Sequence, residues 1–219
     1  MKRQRIAWII AIIVTALLSV AVARSTRLPG DVSITGFLQS VAPEDSAWAE
    51  ALTTSAKTPW NFLLLAITII LSWLIAGWRA AALAAVCFAG LLLIGPWLQG
   101  VIARPRPSPS LVRVVGSSSG YSFPSIFALT YAATAGYLAI LVWYALAGRT
   151  RWVVVLACAL LLIVGGSARI VLGAHWPSDV VTSYLIGLVW AALLVSLSQA
   201  NKSGAQEQFS SGSTQPPYR

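Results

Sequence analysis

The chain has 219 residues, of which 58% are hydrophobic and 10% are charged, and its mean hydropathy is +0.78. This composition excludes an ordinary soluble globular domain, and recurrent apolar runs of about 18 residues or more predict an all-α integral membrane protein. The net charge of +9 does not indicate nucleic-acid binding, because the basic residues are dispersed over short loops and form no stripe.

The first apolar segment, residues 6–23, follows a basic N-terminus and predicts a membrane helix that is entered from the cytoplasm. A secretory signal peptide is the alternative, since Ala21-Val22-Ala23 resembles a cleavage site. Residues 24–58 then form a polar, extracytoplasmic segment. Four of its apolar residues follow helical spacing: Ile34, Phe37, Leu38 and Val41. Both an amphipathic helix at the membrane surface and a solvated loop fit this pattern.

Five more spans are predicted within a core of residues 59–199, which gives a bundle of six transmembrane helices. They cover residues 60–77, 80–102, 125–147, 152–172 and 179–199, and a polar, disordered cytoplasmic tail follows at 200–219. Four basic residues then lie on the cytoplasmic side: Arg79, Arg149, Arg151 and Lys202. The positive-inside rule therefore predicts an inner-membrane protein with both termini in the cytoplasm. Cys87 and Cys158 fall inside apolar runs, which favours buried thiols over a disulfide.

Two loops, residues 103–124 and 173–178, lie on the outer side in this topology. Four arginines crowd that face, where basic residues are normally scarce: Arg104, Arg106, Arg113 and Arg169. Snorkelling to lipid headgroups explains any one of them. A phosphate-binding site explains all four better, because guanidinium groups match phosphate oxygens in bidentate geometry.

The same face holds the single histidine of the chain, His175, four residues before Asp179. If Asp179 accepts a hydrogen bond from one ring nitrogen, the other nitrogen is free to act as a nucleophile. Ser125 and Asp179 also stand at predicted helix starts, where backbone N–H groups favour an anion. One histidine and one neighbouring carboxylate are too few ligands for a metal, so no metal or other cofactor is expected.

These residues resemble the membrane branch of the type 2 phosphatidic acid phosphatase and vanadium haloperoxidase superfamily. Arg169, His175 and Asp179 have the spacing of its third motif, Arg106-Pro107 fits its first, and Pro124-Ser125 fits its second. The resemblance implies that His175 is the nucleophile, that Asp179 orients it, and that further side chains bind phosphate. Those phosphate ligands are Arg106, Arg169 and Ser125, with Arg104 as a weaker candidate.

In the third motif, Ala168 stands before Arg169 where the family has Ser. Three further positions depart from the family pattern, and these three belong to the pocket that the resemblance implies. Gln99 stands where the family has Lys, Ile126 where it has Gly, and Phe127 where it has the His that protonates the leaving group. Loss of general acid catalysis costs about 10²- to 10⁴-fold. A lipid diphosphate is less affected than a monoester, because its leaving group is stable as an anion.

Two functions follow as hypotheses. The first is a lipid phosphatase or diphosphatase that forms a phosphohistidine on the periplasmic face, acting on phosphatidate, phosphatidylglycerol phosphate or a polyprenyl diphosphate such as undecaprenyl diphosphate. The second is a family member that binds phospholipid or a phosphorylated lipid without hydrolysing it. The expected partners are membrane lipids. A haloperoxidase is disfavoured, because nearly all of the chain is membrane span.

Overall fold

Helices joined by loops make up the described part of the chain. The computed structural model describes residues 2–43, 45–116 and 119–212. Its helices are α1 (Lys2–Ala23), α2 (Asp31–Val41), α3 (Ala47–Thr54), α4 (Trp60–Ala76), α5 (Trp78–Ile102), α6 (Ile126–Tyr131), α7 (Tyr137–Ala145), α8 (Gly148–Val171) and α9 (Pro177–Gly212). A π-helical turn, Ala132–Gly136, joins α6 to α7.

Within the described part of the chain, five stretches are long and apolar enough to cross a membrane: Ile6–Ala23, Trp78–Ile102, Ile126–Ala145, Gly148–Val171 and Pro177–Ser198. The shorter α4 is apolar along its 17 residues and, at 1.5 Å per residue, spans about 25 Å. The prediction of an all-α, multi-pass membrane protein is therefore confirmed. Helices suit these apolar segments because each backbone N–H group and carbonyl finds its partner within the segment, with no water needed.

The helix ends differ from the predicted spans in three places. The fourth predicted span, 125–147, is interrupted by the π-helical turn. The fifth begins at Gly148 instead of 152. The last was expected to end at 199 before a disordered tail, but α9 continues to Gly212; residues 213–219 lie outside the described part of the chain.

The polar segment after α1 holds two helices, of which α3 was not predicted. On α2, Asp31 and Thr35 are buried, and Leu38 packs against Ala128, Ile170 and Val180. The remaining apolar side chains of the predicted amphipathic pattern are exposed: Ile34, Phe37 and Val41. Helix α2 therefore presents an apolar face outward, as a helix at a membrane surface does.

The main core lies where α5, α9 and the α6–α7 segment meet. Its fully buried members include Ala84, Cys87, Tyr137, Leu141 and Val195. Small residues allow the closest helix approach, since a Cβ added at Gly187 would lie 2.4 Å from the Cβ of Ala132. Both cysteines are free thiols; Cys87 is buried and Cys158 half-buried.

The chain places its polar loops at one end of the bundle. Helices α1, α5 and α8 finish there, α6 and α9 begin there, and α2 and α3 pack on α8 at this end. This end, called the loop end below, brings together the predicted site residues of three separate stretches of sequence.

Candidate active site

A cavity of about 250 Å³ opens at the loop end. It is lined by Thr53, Ala56, Lys57, Gln99, Arg106, Ser119, Ile126, Phe127, Arg169 and His175. Three of these side chains are cations and none is a carboxylate. The cavity is therefore positively charged, which favours an anionic ligand such as a phosphate group.

The ring of His175 is buried, with 2% of its surface exposed. Its Nδ1 lies 2.7 Å from the carbonyl oxygen of Ser122. Because a carbonyl oxygen only accepts hydrogen bonds, Nδ1 must carry the proton. The Nε2 atom then holds a lone pair, and it lies 3.3 Å from Nη1 of Arg106. The nitrogen at the cavity is thus the one that can act as a nucleophile.

The surroundings of His175 keep its ring neutral. Burial lowers the pKa of His175 well below its usual 6.5, and the positive charges of Arg169 and Arg106 lower the pKa further. A hydrogen bond to the Ser122 backbone opposes this shift only in part. At neutral pH the ring is therefore neutral, with the Nε2 lone pair directed at Nη1 of Arg106.

Asp179 does not bond to the histidine directly, contrary to the prediction. Its Oδ2 lies 4.0 Å from Nδ1 of His175, beyond hydrogen-bond distance. The same oxygen accepts hydrogen bonds from the Ser122 hydroxyl and from the backbone N–H of Trp176, the latter at 2.9 Å. Asp179 therefore orients His175 through Ser122, whose carbonyl holds the ring.

Arg104 lies outside the cavity, which argues against its expected role as a phosphate ligand. Its side chain is fully buried and pairs with Asp31 at 3.3 Å and with Asp179. It also donates to the Ser25 carbonyl at 2.9 Å and to the Ser178 hydroxyl at 3.1 Å. With its guanidinium committed to these groups, Arg104 joins α2 to the start of α9.

Arg106 lies at the cavity and also holds the loop in place. Its guanidinium donates to the carbonyls of Ser119, Gly120 and Ala174 at 2.9, 3.1 and 2.6 Å. Nη1 also donates to Nε2 of His175. Four of the five N–H groups of Arg106 are therefore used, and at most one is left for a ligand. Burial lowers the pKa of Arg106, and the charge of Asp179 opposes this.

Arg169 offers the cavity more free donors than Arg106 does. Its described hydrogen bond is a long one, from Nη1 to the Thr53 hydroxyl at 3.4 Å. Its Nε is buried and has no hydrogen-bond partner within the described residues. The N–H groups of its two Nη atoms that Thr53 does not use leave this guanidinium suited to a ligand that accepts several hydrogen bonds.

Ser125 and Arg113 do not line the cavity. Ser125 is fully buried and caps α6, where its hydroxyl accepts the N–H of Ala128 at 3.4 Å. Its own N–H donates to the Ser183 hydroxyl at 2.8 Å. The Arg113 side chain is exposed, and its backbone bonds to the side-chain amide of Gln39. The positions of Ser125 and Arg113 do not agree with the predicted contact of their side chains with phosphate.

The three altered family positions all line the cavity, as expected. Phe127 stacks on Tyr131 with the ring centroids 4.3 Å apart. Its ring lies so close to Gly165 that an added Cβ there would come within 3.0 Å of it. The Ile126 side chain similarly occupies the space beside Gly95, 2.8 Å from an added Cβ. Both substituted side chains are thus packed into neighbouring helices.

Sequence reasoning missed five residues of this region: Asp31, Thr53, Lys57, Ser119 and Ser122. Lys57 carried a signal that could have been used. It is the single lysine between residues 3 and 201, and it stands in a segment predicted to lie on the outer side, against the positive-inside bias. The other four are ordinary loop or helix-end residues, and the folding of the chain alone brings them here.

Comparison with known proteins identifies the family. The model of the PAP2 superfamily matches residues 78–203, more than half of the chain. The chain belongs to the PAP2 superfamily. A crystal structure of a transmembrane PAP2-type phosphatidylglycerolphosphate phosphatase from Bacillus subtilis has the same fold, with a TM-score of 0.73 at 18% identity. The similarity covers 88% of this chain and 96% of that one. No curated protein matches by sequence. Residues 2–77, which contribute Asp31, Thr53 and Lys57, lie outside the PAP2 match.

Proposed function

We propose that this PAP2 protein is a lipid phosphatase or diphosphatase that forms a phosphohistidine at His175. The observation that carries the proposal is the position of Nε2 at a cavity that the described residues line with Arg106, Arg169 and Lys57 and with no carboxylate. A phosphate group bound by these cations would lie within reach of a nitrogen lone pair.

The reaction follows from this arrangement in two steps. In the first, the Nε2 lone pair attacks phosphorus, an N–P bond forms, and the P–O bond to the lipid alcohol or lipid phosphate breaks. The leaving oxygen departs with the electron pair of that bond. In the second, the oxygen of a water molecule attacks phosphorus, an O–P bond forms, and the N–P bond breaks with its electron pair returning to Nε2. The proton lost by the water goes to solvent, and inorganic phosphate leaves neutral His175 behind. Arg169 and Arg106 stabilise the charge on the phosphoryl oxygens.

The nature of the leaving group decides which lipids react well. Phe127 stands where the family resemblance implies a proton donor, and its ring stacks on Tyr131 and lies against Gly165. A lipid alcohol must therefore leave without general acid help from this position, whereas a lipid phosphate leaves as a stable anion. We infer a preference for a lipid diphosphate, such as a polyprenyl diphosphate, over phosphatidate or phosphatidylglycerol phosphate.

The site is proposed to face the periplasm. The loop end carries the cavity, and Arg79, Arg149 and Arg151 lie at the opposite end of the bundle. The positive-inside rule assigns that opposite end to the cytoplasm and the cavity to the outer side of the inner membrane. A substrate would then be a lipid of the outer leaflet of that membrane.

The test is phosphate release by the purified protein from phosphatidate, phosphatidylglycerol phosphate and a polyprenyl diphosphate. The diphosphate is expected to react fastest, and His175→Ala is expected to abolish release from all three. Phe127→His should raise monoester hydrolysis relative to diphosphate hydrolysis, because it supplies the missing proton donor. Equal release by wild type and His175→Ala would reject a phosphohistidine at this position.

Phe127 favours a second function, the binding of a phosphorylated lipid without hydrolysis. An anion cavity with a nucleophile but no proton donor at this position would retain the lipid. Lipid binding by wild type with no phosphate release from any of the three substrates would support this function over the first.

A further inference from the structure

Lys57 is a cation of the cavity that no family motif places there. It lies in the connection between α3 and α4, outside residues 78–203 of the PAP2 match, and it lines the cavity together with Arg106, Arg169 and His175. The fold thus brings a lysine to the cavity from a distant part of the sequence.

The same cavity lacks a charge at Gln99, where the resemblance implies a lysine. The Gln99 side chain lines the cavity, but its Nε2 donates to the Pro124 carbonyl at 2.8 Å. This bond leaves one N–H of the amide for a ligand. Gln99 is therefore a weak and uncharged substitute for an ammonium group.

Lys57 is free to turn toward a ligand. The ion pairs within 4.0 Å in the described part of the chain involve Arg104, His175, Asp31 and Asp179, and not Lys57. A second cavity of about 240 Å³ shares Lys57, Thr53 and Arg169 with the first and also contains Glu50. The Glu50 carboxylate accepts a hydrogen bond from the Ser46 hydroxyl at 2.9 Å, and it forms no ion pair with Lys57.

We propose that Lys57 supplies the phosphate-binding charge that is missing at Gln99, so that one cation has been replaced by another from a different segment. The part of the proposal that concerns hydrolysis rests on the proposed function, whereas the part that concerns phosphate binding does not. An ammonium group with three rotatable donors suits this role, because it binds phosphate oxygens as a point charge without fixed geometry.

The experiment measures binding of inorganic phosphate to the purified full-length protein by calorimetry, and in parallel kcat/KM on the best lipid substrate. Lys57→Gln is expected to weaken phosphate binding about tenfold or more, the scale of one charge-assisted hydrogen bond. Lys57→Arg should bind within a few-fold of wild type. In the Lys57→Gln background, Gln99→Lys should restore most of the lost affinity and of kcat/KM.

The control is Arg27→Gln, which removes one exposed positive charge from the same end of the bundle without touching either cavity. It should leave phosphate binding unchanged. Binding by Lys57→Gln within twofold of wild type would overturn the proposal, and so would a double variant no better than Lys57→Gln alone. If wild type hydrolyses no lipid, the proposed function fails, and phosphate binding still decides the role of Lys57.

Discussion

His175 presents one ring nitrogen to the cavity because a backbone carbonyl holds the other. The Ser122 carbonyl fixes the proton on Nδ1, and Asp179 holds Ser122 through its hydroxyl. The Asp179 carboxylate thus acts on His175 through Ser122, and its negative charge is balanced by buried Arg104. The Ser122 carbonyl orients the ring, and the positive charges of Arg169 and Arg106 disfavour its protonation.

The single histidine makes this state directly observable. In protein labelled with ¹⁵N-histidine and purified without a histidine tag, NMR should show one neutral imidazole protonated on Nδ1 at pH 7. Because its folded pKa is lowered, the ring should stay neutral as the pH falls through 6.5. A midpoint at or above 6.5, or a proton on Nε2, would contradict the described environment.

The same pKa shift links stability to pH. In the unfolded chain the histidine takes up a proton near its ordinary pKa of about 6.5, whereas in the folded protein it does so only at lower pH. The unfolded state therefore binds more protons between these two values, and the folded state loses stability as pH falls below 6.5. The fall in melting temperature between pH 7 and pH 5.5 should be smaller for His175→Gln than for wild type.

At the residue scale, the sequence predicted which side chains line the cavity better than it predicted their hydrogen-bond and ion-pair partners. Arg106, Arg169 and His175 line one cavity as expected. Arg104, only two residues from Arg106, points into a buried ion network instead. Nothing in an Arg-Pro-Arg-Pro run shows which guanidinium is buried, because the partners Asp31 and Asp179 come from distant segments.

At the scale of the helices, the segment that carries Phe127 is shaped by its contact with α9. The π-helical turn Ala132–Gly136 lies where Gly187 of α9 approaches Ala132, with no space for an added Cβ. Apolar length predicted the existence and approximate bounds of this span. The turn was not predictable from hydropathy, since an added residue in a helical ladder leaves the apolar content unchanged.

This contact predicts the effect of one added methyl group. Gly187→Ala places its Cβ 2.4 Å from that of Ala132, so the two helices must separate, and we expect a loss of about 1–3 kcal/mol in folding free energy. Gly100→Ala is the matched control, because it lies in α5 with nothing within 4 Å of the added Cβ. Thermal unfolding in detergent should show a lower melting temperature for Gly187→Ala only. Equal melting temperatures would mean that the helices are not in this contact.

At the scale of the whole molecule, a buried charge network ties the N-terminal segment to the core. Asp31 at the start of α2 accepts hydrogen bonds from the backbone and hydroxyl of Ser178 at 3.0 and 2.7 Å, and it pairs with Arg104. Arg104 in turn pairs with Asp179 in the first turn of α9. The family match begins at residue 78, yet the position of Asp179 depends on a helix that precedes it.

The charges of this network predict how much stability is lost when each of its residues is substituted. Arg104 is one cation between two carboxylates, so Arg104→Gln leaves two buried negative charges without a counterion, at a cost of about 3–5 kcal/mol. Asp31→Asn instead leaves one cation facing one carboxylate and should cost less. We therefore expect the melting temperature in detergent to fall most for Arg104→Gln and less for Asp31→Asn. Adding Asp31→Asn to Arg104→Gln should restore part of the melting temperature, because one of the two unpaired negative charges is then removed. Arg169→Gln provides the contrast, since it should weaken phosphate binding with little loss of stability. If Arg104→Gln kept the wild-type melting temperature and weakened phosphate binding alone, Arg104 would be a phosphate ligand after all, and α2 would not be held to the core by its charge.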